Sequence, residues 1–157
     1  MHSSPLAYFI SFRTHGTWLH GDARGSFQAR RGTLPSRLGD MPRLERAMEG
    51  LLRGPPVRLD IEQRCLVKQT IEEVCAHRGW TLHIGAVRRE HVHALVTAAQ
   101  PTSPEQIMTS MKAWSTRRLV ESGFRPWGAR TWSRHGSTRY VWTPREVRAV
   151  RDYIENQ

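Results

Sequence analysis

His91-Val92-His93-Ala94-Leu95-Val96-Thr97-Ala98-Ala99 is the stretch that decides the fold. Successive side chains of a strand point to opposite faces, so His91, His93, Leu95 and Thr97 share one side and Val92, Ala94, Val96 and Ala98 the other. The second side is wholly apolar and calls for a layer of helices against it. The first side carries two imidazoles and is left for a site. Upstream, Arg88-Arg89-Glu90 makes a turn, and Trp80 to Val87 alternates as a strand that pairs antiparallel with this one.

Further upstream, Asp60-Ile61-Glu62-Gln63 has the form of a capping box. Val67, Ile71, Val74 and Cys75 follow at spacings that bury one helical face, so a helix is expected from Asp60 to His77, ended by Gly79. Ala7 to Trp18 supplies another strand, with Tyr8, Ile10 and Phe12 alternating against Phe9 and Ser11 and an end before His15-Gly16. Downstream, Ser103 and Pro104 start a helix with Ile107, Met111 and Trp114 as its apolar stripe, running to Glu121 and stopping at Gly123. Ala129 to Trp142 is expected to hold a strand or a hairpin broken at His135-Gly136, and Thr143-Pro144-Arg145-Glu146 opens the last helix.

The order strand, helix, strand, strand, helix, strand, helix is that of an α+β, ferredoxin-like (RRM-like) split βαβ antiparallel sheet, with helices on one face and a C-terminal helix that carries Tyr153. One domain of 157 residues is expected. Between His20 and Arg58 the composition turns to Gly, Arg and Pro, which reads as a long insertion at about 20–58; Leu44 to Leu52 could form a short helix within it.

The formal net charge is +10, and Lys68 and Lys112 are the only lysines, so the basic side is arginine. Guanidinium pairs bidentately with phosphate and stacks on bases, which points to nucleic acid. The competing explanation is a GC-rich genome that writes arginine onto a merely solvated surface. Arg88, Arg89, Lys112, Arg117, Arg118, Arg130 and Arg134 are the candidate phosphate contacts. Trp18, Trp127 and Trp132 are candidates for stacking on unpaired bases, with the core as the competing destination.

The mean hydropathy is −0.57, and no apolar stretch approaches a membrane span. Without a signal-like N-terminus, the expected place is the cytoplasm, at the nucleoid. Cys65 and Cys75 fall in one helix, about 15 Å apart at 1.5 Å per residue, too far for a disulfide within it; both are expected to be reduced. No CxxC supports a zinc finger.

His91 and His93 on one strand face form a possible metal pair, although a polar strand surface can carry the same spacing. Tyr153 and Gln157 lie a turn apart on the last helix, beside a stripe of Val147, Val150 and Ile154. A phenol next to a metal-bound phosphate is a competent nucleophile, and an amide one turn on can supply an oxygen; a tyrosine at the edge of the core is the plainer reading. Tyr140 is the second candidate nucleophile, with strand packing as its plainer role. His83 reads as a supporting or surface residue, and His15, His20 and His135 as loop residues without a special role.

Taken together, Glu90-His91-Val92-His93-Ala94-Leu95-Val96, Trp132-Ser133-Arg134-His135-Gly136 and Tyr153-Ile154-Glu155-Asn156-Gln157 resemble the single-tyrosine transposases of the IS200/IS605 type. Their His-hydrophobic-His motif, called HUH, matches His91 and His93, and their tyrosine followed four residues later by glutamine matches Tyr153 and Gln157. The resemblance covers the first strand and most of the chain from Leu59. It implies that Tyr153 attacks single-stranded DNA beside a hairpin, leaving a 5′-phosphotyrosine link and a free 3′-hydroxyl. It implies a magnesium or manganese ion held by His91, His93 and Gln157, and a homodimer whose sheets join. The long insertion resembles that of relatives acting on repeated palindromes, while Ile154-Glu155-Asn156-Gln157 departs from the Asn-Pro that follows the tyrosine in many of them. The chain ends at Gln157, so no further helix is expected after the tyrosine helix. Two other readings compete: a domesticated module that holds hairpin DNA or RNA without cutting it, and a metal hydrolase of small phosphate esters, against which the basic insertion argues.

Overall fold

The computed structural model describes residues 3–17, 26–28, 36–38 and 55–157. Its main sheet has four strands in the order β4-β5-β1-β6: β1 is Ala7–Thr14, β4 Thr81–Val87, β5 His91–Thr97 and β6 Trp132–Val141. Helix α1 spans Ile61–Arg78, α2 Pro104–Glu121 and α3 Pro144–Glu155. Every pairing in this sheet is antiparallel, which is the split βαβ arrangement the sequence predicts. Two short strands, β2 (Ser26–Gln28) and β3 (Ser36–Leu38), pair with each other. The expected helix at Leu44 to Leu52, together with Trp18 and His20, lies outside the described residues.

Local chemistry starts and stops the helices. Asp60, Ser103 and Thr143 each accept from the backbone three residues on, and Gln63, Gln106 and Glu146 each reach back to the cap, so all three helices open on a capping box. Gly79 closes α1 at φ 72°, a conformation a side chain would oppose. Tyr8, Ile10 and Phe12 of β1 join Val92, Ala94 and Val96 of β5, Val67 and Ile71 of α1, and Ile107, Met111 and Leu119 of α2 in one buried core. The predicted alternation of β5 therefore holds. On the other face α3 lies across the sheet, burying Val150 and Ile154 against Ala7, Leu95 and Val141.

The structure departs from the sequence reading in three places. First, β6 is one continuous strand through His135 and Gly136, not a hairpin broken there. Gly136 pairs with Phe12, and a Cβ on it would stand 2.6 Å from the Ser11 carbonyl oxygen and 3.2 Å from Phe12 Cβ, with Met108 Sδ closer still. The glycine allows a close approach inside a sheet; it does not make a turn. The irregularity is instead a register shift between Phe12 and Thr14, where Ser133, Arg134 and His135 together face Arg13 as a bulge.

Second, the insertion gives way to the domain earlier than Arg58. Val57 and Leu59 are buried, and their amides donate to the His15 and Arg89 carbonyls, both at 2.8 Å. Third, α3 ends at Glu155, so Gln157 is not on the same helix as Tyr153. The Asn156 amide side chain donates to the Asp152 carbonyl at 2.7 Å and so competes for an acceptor of the last helical turn.

Candidate active site

The antiparallel register of β1 and β5 builds the site. Ser11 stands opposite His93 and Arg13 opposite His91, so a polar end of β1 meets the two imidazoles on the face away from the main core. The imidazole rings are 4.7 Å apart between centroids. Ser11 Oγ lies 2.6 Å from His93 Nδ1. A proton on Nδ1 would make the hydroxyl the acceptor and leave Nε2 with the lone pair that a metal requires.

Helix α3 brings the tyrosine to the same place. With Val150 and Ile154 seated on the sheet, the Tyr153 ring comes within 5.8 Å of His93 and 6.0 Å of Phe9, edge-on to both. It remains 49% exposed, which suits a group that must reach a substrate better than one filling a core. Arg88, in the turn before β5, donates to the Ile154 carbonyl at 3.5 Å and ties the end of α3 to the histidine strand. Tyr140, the other candidate nucleophile, pairs with Tyr8, whose ring it meets edge-on at 5.4 Å. Tyr8 belongs to the main core, so Tyr140 lies on the opposite face from the histidines.

Electrostatics keeps His93 neutral. Its pKa is pushed down to about 4, first by burial, then by His91 and by the Arg13 and Arg88 guanidiniums. A neutral imidazole is the form that binds a cation, and two nitrogen donors leave most of a coordination sphere to oxygen, as magnesium and manganese prefer. Among the described residues no three His, Cys, Asp or Glu side chains are placed to hold a metal. The pair thus fits as part of a ligand set. Gln157 is exposed beyond the end of α3, and among the described residues no hydrogen bond joins it to the histidines.

Three residues of the site escape the sequence reading. Ser11 and Arg13 follow Phe9 at period two, so the alternation of β1 could have found them; Arg13 also reaches Glu90 at 3.2 Å, and Glu90 takes Arg58 at 3.1 Å. His135 is the third. Read as a loop residue, it lies in β6 and lines a cavity of about 310 Å³ shared with Ser11, Arg13, His91, His93, Ser133 and Ser137, near the small end of ligand pockets. Ser133 and His135 of the bulge opposite Arg13 form part of the cavity wall.

The candidate phosphate contacts separate. Arg88 is at the site, and Arg89, Arg130 and Arg134 are exposed. Lys112, Arg117 and Arg118 are on α2, whose buried side packs on the opposite face of the sheet. Arg118 pairs with Glu73 of α1. Lys112 donates to the Ser133 carbonyl at 3.0 Å and the His135 carbonyl at 3.3 Å, so it braces the bulge from beneath. Burial lowers its pKa. His83 contacts Thr97 Oγ1 at 2.7 Å, at the end of the β4-β5 pair away from His91. Trp132 packs edge-on against Phe12 at 4.9 Å in the core, whereas Trp127 is exposed. Cys65 and Cys75 are free thiols, and among the described residues no helix is long and apolar enough to cross a membrane.

The sequence profile of the family described as IS200-like transposase matches residues 57–157. No curated protein matches the chain significantly in sequence. Among solved structures, the chain is similar to a candidate transposase from Deinococcus radiodurans R1, with 17% identity and a TM-score of 0.54 over 99% of this chain and 93% of the other. It is also similar to a REP-associated tyrosine transposase bound to a REP hairpin, with 12% identity and a TM-score of 0.55 over 98% of this chain and 67% of that one. At such identities the likeness to these two structures is one of fold.

Proposed function

Because this chain belongs to the IS200-like transposase family, we propose that it cuts and rejoins hairpin-bearing single-stranded DNA with Tyr153 as the nucleophile. The observation that carries the reading is the approach of the Tyr153 ring to His93, 5.8 Å between centroids, by a helix fastened to the histidine face of the sheet. A relative of the same fold is a REP-associated transposase bound to a REP hairpin, which supports a hairpin as the partner.

In the proposed reaction Tyr153 Oη attacks the scissile phosphorus. A bond from phosphorus to the phenolic oxygen forms as the bond to the 3′-oxygen breaks, leaving a 5′-phosphotyrosine and a 3′-hydroxyl. The phenol releases one proton and the departing oxygen takes one up, so the step is balanced. The phosphotyrosine keeps the ester, and attack by another 3′-hydroxyl rejoins the strand without ATP. Magnesium or manganese, held by His91 and His93 with the Gln157 amide, would neutralise the scissile phosphate and ease the approach of the phenolic oxygen. Ser11 orients His93, and Arg88 holds the tyrosine helix to the strand. Arg89, Arg130 and Arg134 take phosphates along the strand, in a homodimer acting on nucleoid DNA.

The test is a 3′-labelled oligonucleotide carrying a hairpin, with manganese, resolved on a denaturing gel. Wild type gives a covalent protein–DNA band; Tyr153→Phe gives none while binding the same DNA. An undiminished band from Tyr153→Phe overturns the assignment. The position of Gln157 beyond the end of α3 favours a second reading, a hairpin-binding module that does not cut. Calorimetric titration separates the two: manganese uptake lost in His91→Ala and His93→Ala supports the enzyme, and DNA binding with no such uptake supports the module.

A further inference from the structure

Trp127 is 91% exposed, the most exposed large apolar side chain among the described residues. The loop that carries it, between α2 and β6, is held in place. The Phe124 and Arg125 amides both donate to the Leu119 carbonyl, at 2.9 and 3.2 Å, and Phe124 packs on the main core. The Ala129 amide donates to the Pro126 carbonyl at 3.2 Å, closing a turn with Trp127 and Gly128 at its centre. Gly128 has φ 79°, which that position of the turn needs and a residue with a Cβ resists. Arg125 spans the base of the loop by donating to the Arg130 carbonyl at 3.1 Å. The backbone is fixed, and the indole is displayed on it.

The loop also has a definite place and charge. The His15 amide donates to the Thr131 carbonyl at 2.8 Å, and the Arg130 and Arg125 guanidiniums are near enough to add to the effect of burial in lowering the His15 pKa. His15 is two residues past Arg13, the partner of His91 in the sheet. The loop that displays the indole therefore stands at the histidine end of the molecule and carries the Arg125 and Arg130 guanidiniums. An apolar protein surface would ask for apolar neighbours around the tryptophan. Pro126, Gly128, Arg125 and Arg130 suit a flat aromatic ring on a phosphate chain instead.

We propose that Trp127 is the stacking platform for an unpaired base of the DNA strand next to the hairpin, with Arg130 taking a neighbouring phosphate and Arg125 bracing the loop. The proposal rests on the single-stranded DNA reading above and adds to it the residue that holds the unpaired segment.

The test uses the full chain and two labelled DNAs, a blunt hairpin and the same hairpin with a single-stranded tail, with affinities measured by fluorescence anisotropy. Trp127→Ala should weaken binding of the tailed DNA by about 5- to 150-fold, the usual worth of one stacked base, and leave the blunt hairpin unchanged. Trp127→Phe should recover most of the loss. An abasic nucleotide scanned along the tail should weaken wild type at one position and Trp127→Ala no further there. Equal losses on both DNAs, or none on the tailed DNA, overturn the proposal. So does unchanged affinity with a changed sedimentation coefficient of the protein alone, which would put the indole in a protein contact. Wild type that forms the Tyr153 adduct while Trp127→Ala binds normally sinks this proposal only; wild type that binds neither DNA sinks the function as well.

Discussion

The two faces of the four-stranded sheet are made from the same strands and serve opposite ends. On one, Tyr8, Ile10, Phe12, Val92, Ala94 and Val96 are sealed under α1 and α2. On the other, α3 covers Ala7, Leu95 and Val141, while Ser11, Arg13, His91 and His93 border a cavity. A strand's period of two lets adjacent residues have unrelated duties: Val92 is fully buried between two histidines that are not. Changes on the first face should therefore be read as stability, and changes on the second as chemistry.

The sharpest way to break that contrast is to remove an imidazole. His93→Ala should lower manganese-dependent adduct formation by about three orders of magnitude, the several kcal/mol expected of a cation at a scissile phosphate, with little change in the thermal midpoint. Single-turnover kinetics and calorimetry on one preparation check both halves. The opposite experiment is Ile10→Ala, at a residue with no exposed surface. It should cost about 3 kcal/mol of stability in urea unfolding, while cleavage per folded molecule stays at the wild-type level. A large loss of rate from Ile10→Ala, or of stability from His93→Ala, would mean that the faces are not separate.

Two further substitutions probe the seam between them. Gly136→Ala puts a Cβ against the Ser11 carbonyl oxygen, backbone that cannot rotate away, and should destabilise by about 1–3 kcal/mol. The displaced Ser11 should slow cleavage as well, a joint effect that neither face alone would give. Ser11→Ala leaves the backbone in place but removes the partner of His93 Nδ1. Loss of such an orienting hydrogen bond is worth about 10- to 100-fold in metal affinity or activity. Rescue by Ser11→Thr would assign the loss to the hydroxyl, and an unchanged rate in Ser11→Ala would show that His93 is oriented by its packing alone.

Much of this was legible in the sequence because its causes are local. A capping box is three residues long, and the alternation in His91 to Thr97 fixes its two faces without any knowledge of the partner strand. What could not be read depends on register. His135 and Gly136 carry the letters of a turn, and only the pairing with Phe12 and the bulge opposite Arg13 reveal a strand that bends into the site. Lys112 looks like a phosphate contact in a basic chain, yet its place on α2 turns it toward the carbonyls of that bulge. In the sequence Tyr140 stands second to Tyr153, which has a glutamine four residues on, but neither is excluded by its neighbours. The side of the sheet on which each one lands separates them, and that is a property of the crossing of α3. The end of α3 has a local cause that its spacing does not show: the Asn156 side chain and backbone amide both donate to the Asp152 carbonyl, a side-chain cap that closes the helix short of Gln157.

The smallest expected effect concerns the end of the sheet where the two faces meet. His15 is only 6% exposed, enclosed where β1 meets Thr131 and Val57, and its pKa is lowered by burial first and then by Arg130 and Arg125. Above its ordinary pKa of about 6.5 the imidazole is neutral whether the chain is folded or not, and its contribution to stability is fully present. Below that pH the unfolded chain takes up a proton that the folded one resists, so stability falls with pH until the folded value is reached. His83 and His93 are shifted the same way, so wild type should lose stability steadily from pH 7 towards pH 4. His15→Gln, which cannot titrate, should lose it less steeply over the same interval, as measured by urea unfolding at each pH. Parallel curves for the two proteins would mean that His15 protonates in place, with its positive charge accepted beside Arg125 and Arg130, and that this end of the sheet is open to water.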